Sequence, residues 1–180
     1  MASELIVQTL KGPTSGANAN KVIVPSGQTL DMSDGTFTPS SGQIIQVVNG
    51  ERTAWTGAVS GGSLIDITLN ATITPTSSSS NILVIVRLNG IYCPGTSNRL
   101  RVELLRGGSS IAYLDDILTN NVDHYGASSS YTYLDSPSST TSLTYGVGMF
   151  EINGNSFGVN NYSTGNNRTR SSVTLMEIAG

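Results

Sequence analysis

Cysteine is nearly absent. Cys93 stands alone among 180 residues, so no internal disulfide can form and the small stapled secreted folds are excluded. Lysine is almost as scarce, with only Lys11 and Lys21, both near the N-terminus. Nine basic side chains against 12 acidic ones give a formal net charge of −3. No basic face is available to neutralise phosphates, and nucleic acid is not an expected partner. Charge of either sign makes up 12% of the chain, about half of the ~25% usual in soluble domains. No stretch approaches ~18 consecutive apolar residues, which argues against a helical membrane span. The N-terminus MASELIVQTLKG lacks the basic start and apolar run of a signal peptide, so synthesis in the cytoplasm is expected. Runs of Ala, Leu, Glu, Lys, Gln and Arg at helical spacing are missing as well, and with them the means to build helices.

What replaces the missing charge is Ser, Thr, Asn and 20 Gly, a mixture that favours strands and turns. Ile65, Ile67, Leu69, Ala71 and Ile73 alternate with Asp66, Thr68, Asn70, Thr72 and Thr74, the period-2 pattern of a strand with one wet face. Beyond the serine run 77–80, Ile82, Val84, Val86 and Leu88 mark one face of a second strand, while Leu83 and Ile85 make its other face apolar too. Pro75 ends the first strand because it cannot donate to a ladder. The serines are therefore expected to form a hairpin tip inside one domain rather than a linker between two. A strand apolar on both faces needs two covers, and a neighbouring copy of the chain is the expected second one.

The pattern continues. Leu100, Val102 and Leu104 alternate with Arg101 and Glu103, and Gly107-Gly108-Ser109 predicts a hairpin turn. Leu143, Tyr145, Val147 and Met149 alternate with Thr144, Gly146 and Gly148. These glycines leave one face flat, so Gly146 and Gly148 join Leu83 and Ile85 as expected oligomer contacts. SSVTLMEIAG places strand-forming residues at the C-terminus, which is expected to be core. Strands separated by Gly, Ser, Asn and Pro clusters predict an all-β protein, an antiparallel β-sandwich of jelly-roll-like form over 43–180. Residues 1–42 hold too little apolar material for their own core, so they either pack on the sandwich or wind with copies from other subunits, and a short extended β arm or stalk is the expectation.

Chemistry is sparse. The lone histidine, His124, has Asp115 and Asp123 in its region, but no G-x-S-x-G elbow accompanies them. Cys93 has no basic partner nearby in the sequence and reads as a small buried or edge thiol rather than a nucleophile. Neither Asp31/Asp34 nor Asp115/Asp116 with Asp123 has the spacing of a calcium loop. No enzyme, metal or cofactor is expected. The sequons at Asn70, Asn161 and Asn167 carry little meaning without a secretion signal. Two polar loops with aromatics, 124–133 and 153–170, have the composition of a recognition surface: rings supply contact area and small polar residues adapt their hydrogen bonds. The expected receptor contacts are His124, Tyr125 and Tyr131 in the first loop. In the second they are Asn155, Phe157, Asn161, Tyr162, Asn166, Asn167 and Arg168.

Four stretches, IIQVVNGERTAW (44–55), LNATITPTSSSSNILVIVRLNG (69–90), YLDSPSSTTSLTYGV (133–147) and SSVTLMEIAG (171–180), together resemble a β-rich domain of virion proteins from marine and cyanobacterial tailed phages. The markers are ITP-x-SSSS-x-ILV, LDSP with a later TY, and the terminal S-x-x-T-L-M-E-I-A. NKVIVPSGQTLDMSDG is similar, more loosely, to segments of trimeric fibre shafts. The resemblance implies a homotrimeric virion component without cofactor or catalytic residues, in which Tyr133, Asp135 and Pro137 shape a turn. The expectation is a short tail fibre, attached to other virion proteins through 1–42, whose trimeric head contacts a host surface glycan or protein. A capsid decoration or cement protein is the alternative on the same fold. A polysaccharide-cleaving tailspike, from another class, would need paired carboxylates in a groove, for which adjacent Asp115 and Asp116 are a poor substitute.

Overall fold

The computed structural model describes residues 11–19, 21–29, 38–56, 59, 60, 62–93, 98–119, 127–160 and 169–180, and none of these is helical. The chain divides into two compact units, Met1–Thr38 and Pro39–Gly180. In the first, the Ala19 N–H donates to the Gly16 carbonyl and the Gln28 N–H to that of Pro25, each at 3.1 Å, closing two turns. Val22, Ile23 and Val24 between them are exposed.

The second unit is a sandwich of two four-stranded antiparallel sheets. One sheet runs in the order β1 (Ile44–Arg52), β10 (Ser171–Ile178), β4 (Asn81–Ile91), β7 (Ala127–Asp135). The other runs β3 (Ile65–Ile73), β8 (Leu143–Glu151), β5 (Asn98–Arg106), β6 (Ser109–Thr119). A short pair, β2 (Val59–Ser60) and β9 (Ser156–Phe157), stands apart. Among the long strands the pairing is nested: β1 with β10, β3 with β8, β4 with β7 and β5 with β6. This is what rolling one long hairpin into two layers produces.

The sequence alternation explains the layers. Ile67, Leu69, Ala71 and Ile73 of β3 face Ile82, Val84, Val86 and Leu88 of β4 across a shared core, joined by Leu100, Val102 and Leu104 of β5 and by Tyr145, Val147 and Met149 of β8. Each large apolar side chain buried this way contributes about 1.5–3 kcal/mol. A one-residue slip of any strand would turn its whole set outward, so register is strongly specified. The C-terminal strand is core as expected, lying between β1 and β4 with Val173 and Leu175 buried. The turn joining β5 to β6 has Gly107 and Gly108 at φ +58° and +80°, the two positive values of a type I′ hairpin.

Two expectations are corrected. The serine run is not a hairpin tip, because β3 and β4 lie in different sheets and do not pair. It is an arch between the layers, held from inside the sandwich by Glu177. Its two flanks do alternate as strands should, but alternation reports which face is buried and not which strand is the neighbour. Gly146 and Gly148 are not an open flat surface either, since both are buried. A Cβ on Gly148 would lie 3.0 Å from a Leu64 methyl and 3.2 Å from one of Leu105, and at Gly146 the nearest neighbour is the Asn70 Cβ at 3.5 Å. The chain covers its own glycines.

The sandwich also begins slightly before residue 43. The Gly42 N–H donates to the Ala179 carbonyl and the Ala179 N–H to that of Gln43, both at 2.8 Å. These bonds extend the β1–β10 ladder toward Pro39.

Candidate recognition surface

The expected receptor contacts separate into three groups. His124, Tyr125, Asn161, Tyr162, Asn166, Asn167 and Arg168 lie outside the described residues, as do Asp31, Asp34 and Asp123. Asn155 is exposed, and its backbone N–H donates to Glu151 Oε2 at 2.5 Å, pinning the turn after β8 to a fully buried carboxylate. Tyr131 and Phe157 are corrections. Phe157 is fully buried in the core. Residues 157–160 of the second loop close one end of the sandwich, where buried Asn160 donates to the Arg52 and Ala54 carbonyls and accepts from Ser171. Tyr131 packs against the core from β7, and its hydroxyl donates to Asp115 Oδ2 in the opposite sheet at 3.2 Å. Burial pushes its pKa up to about 12. Both rings serve the fold, which loop composition alone does not distinguish from recognition.

A cluster of charged and aromatic side chains does come together on the outer face of the β3-β8-β5-β6 sheet. A β-bulge in the β5–β6 pairing sets Val102 opposite Asp115 but Glu103 opposite Tyr113. The extra residue re-aims the strand. Asp115 therefore turns toward Tyr131, while Tyr113 and Asp116, three apart, share the outer face. Arg101 lies opposite Asp116 on one side and Phe150 on the other. Its guanidinium sits 4.9 Å from the Tyr113 ring centre and 5.4 Å from that of Phe150, a double cation–π contact. Arg99 pairs with Asp116, and Arg101 Nη1 lies 3.4 Å from Glu103 Oε1.

The electrostatics are mutually reinforcing. The Tyr113 hydroxyl, and after it Arg99, hold the Asp116 carboxyl below the usual range. Tyr113 itself is raised, chiefly by its bond to Asp116, and Arg101 is raised, chiefly by Tyr113. Two guanidiniums and two carboxylates leave the cluster neutral. It is therefore not an anion trap, but a ring with Tyr113 52% exposed and a rim of charged hydrogen-bonding groups. Such a surface suits stacking against a sugar or peptide while its polar groups bond the edges. The sequence carried a signal for it, RVE opposite YLDD, but only the bulge brings those residues to one face.

Asp115 and Asp116 thus diverge to opposite faces of β6. Among the described residues no three His, Cys, Asp or Glu side chains come together as a metal site would require. Cys93 is buried.

Other charged groups hold the frame. Asp135 Oδ2 accepts from the Tyr145 hydroxyl and from Arg106, each at 2.6 Å. Glu177, fully buried at the end of β10, accepts from Gln46 Nε2 at 2.6 Å, and its Oε1 accepts from both the Thr76 N–H and hydroxyl at 2.7 Å. No protein-family model and no curated protein sequence matches the chain.

Proposed function

We propose that this chain is a structural protein of a virus particle, a short fibre of a tailed bacteriophage whose jelly-roll heads associate as identical copies and touch the host surface. One observation carries the reading. The residues that mark the resemblance to phage virion domains are bonded to one another: Asp135 of LDSP to Tyr145 of the TY that follows in the same stretch but in the other sheet, and Thr76 of ITPT to Glu177 of the terminal TLMEIA, which joins two of the four stretches. Residues that anchor distant parts of a nested eight-strand sandwich are the ones a shared framework keeps, and nested pairing is the connectivity of a jelly roll. The contact surface in this reading is the neutral Arg101–Tyr113–Phe150 cluster. Copies presented together multiply weak contacts into useful avidity without a deep pocket.

Labelling the protein in intact particles tests the location. Signal at the tail tip supports the fibre, whereas signal over the head replaces it with the decoration protein. Purified protein competing with particles for host adsorption tests the contact. Wild-type protein is expected to compete, and Tyr113→Ala, at an exposed position, to compete at least tenfold less well with unchanged thermal unfolding. Competition that is indifferent to Tyr113 removes this face from the proposal. Release of fragments from host polysaccharide would replace adhesion with cleavage.

A further inference from the structure

The outer face of the other sheet, β1-β10-β4-β7, is ordered by rows. Directly opposed residues run Val47–Met176–Leu83–Leu134 across all four strands. Next to this row toward one end lies Ile44–Ile178–Asn81, apolar on β1 and β10 and polar but uncharged on β4, and toward the other Asn49–Thr174–Ile85–Thr132. One step further the face turns charged, with Glu51 and Arg87 flanking Ser172. An antiparallel sheet with one face on the core normally keeps the other polar. Here half of that face follows the rule and half breaks it.

From this we infer that the apolar half is where identical copies of the chain pack, with the Val47–Met176–Leu83–Leu134 row at the centre of the contact. Ile44, Val47 and Leu134 are 58%, 55% and 54% exposed. With the half-buried Leu83, Met176 and Ile178 they present apolar surface on the order of 400 Å², close to the apolar share, a little over half, of the roughly 800 Å² that each partner gives to a standard interface. The two apolar rows contain no charged side chain to select a different protein. What fits is another face equally flat, equally apolar and edged by polar groups, and a second copy supplies it. A single patch per chain is satisfied by a two-fold or three-fold axis passing beside it; the trimer of the proposed function uses the latter. The inference rests on the self-association in that reading and adds the surface that performs it. It also widens the expected contact from Leu83 and Ile85 to all four strands.

Sedimentation velocity and light scattering of the full chain test it. The wild type is expected to be an oligomer at micromolar concentration. The double variant Val47→Lys/Leu134→Lys changes two exposed positions on the outer strands, and is expected to weaken association by at least 100-fold while circular dichroism stays that of a folded sheet protein. Leu83→Lys, nearer the centre, should do the same if it folds, and Arg87→Ala in the charged row should change association less than threefold. A wild type that stays monomeric at 100 μM overturns both the inference and the self-association it rests on. An oligomer that ignores the double lysine variant overturns the inference alone.

Discussion

Asp135 and Tyr145 meet at 2.6 Å, hydroxyl to carboxylate, at the edge of the core, with Arg106 bonded to the same oxygen. The contact joins the last residue of β7 in one sheet to β8 in the other, so it locks the two layers together. A hydrogen bond to a charged group contributes about 1.5–3 kcal/mol. Tyr145→Phe should cost that much in denaturant unfolding, and Asp135→Ala more, because it leaves both donors without an acceptor.

The same hydroxyl predicts an alkaline limit. Burial first, and the bond to Asp135 second, raise the Tyr145 pKa well above its ordinary value, and burial raises that of Tyr131 to about 12. A raised pKa means that the folded state holds its proton more tightly than the unfolded one. The stabilisation is complete below the unfolded value near 10 and is lost as pH climbs through the folded values. Denaturant midpoints should therefore be flat up to about pH 10 and fall above it, with tyrosinate absorbance from these two rings appearing together with unfolding. Tyr145→Phe should make the fall shallower, and an unchanged slope would remove Tyr145 from the account.

Glu177 sets the opposite limit. Burial alone would raise its carboxyl, but the hydrogen bonds from Gln46 and Thr76 outweigh it, and the net shift is downward. A lowered pKa gives stability that is present above the unfolded value near 4.3 and lost as pH falls through the folded one. Glu177→Gln should flatten this acid limb. Glu177→Ala, which strands the donors of Gln46 and Thr76, should cost about 3 kcal/mol at neutral pH and loosen the serine arch, read as faster amide exchange at 76–80.

Much of the sandwich was legible because burial here follows period 2. The positions of β3, β4, β5, β8 and β10 that alternate as apolar are the ones that fill the core. What alternation does not contain is the identity of the neighbour, so the TITPTSSSSNILVIV stretch looked like a hairpin although its strands part into different sheets. The candidate recognition surface was the least legible part. Tyr113 and Asp116 share a face only through a bulge, while Phe157 sits in a loop of recognition-like composition and is core. A polar loop with a ring reads alike whether the ring points out or in.

That contrast is measurable. Phe157→Ala should cost about 3–5 kcal/mol, the usual range for a large aromatic removed from a core, and lower the thermal midpoint substantially. Asn155→Ala, at an exposed position two residues earlier, should cost much less. Deleting 153–169 would remove Phe157, Val159 and Asn160 along with any contact residues, so loss of adsorption by that variant would report unfolding. Point substitutions outside the core are the informative ones.

Two glycines separate close approach from mere burial. At Gly50 in β1, an added Cβ would lie 1.9 Å from the Asn70 carbonyl oxygen of β3, in the facing sheet. That neighbour is backbone and cannot turn aside, so the layers would have to part at the point where β1 crosses β3. At Gly148 the added carbon would meet methyl groups of Leu64 and Leu105 at 3.0 and 3.2 Å, and side-chain ends can shift. Gly50→Ala should therefore leave little folded protein at 37 °C, whereas Gly148→Ala should fold with a loss of about 1–3 kcal/mol, the range for mild overpacking. Equal losses at both sites would mean that the sheets are not held at the separation Gly50 requires.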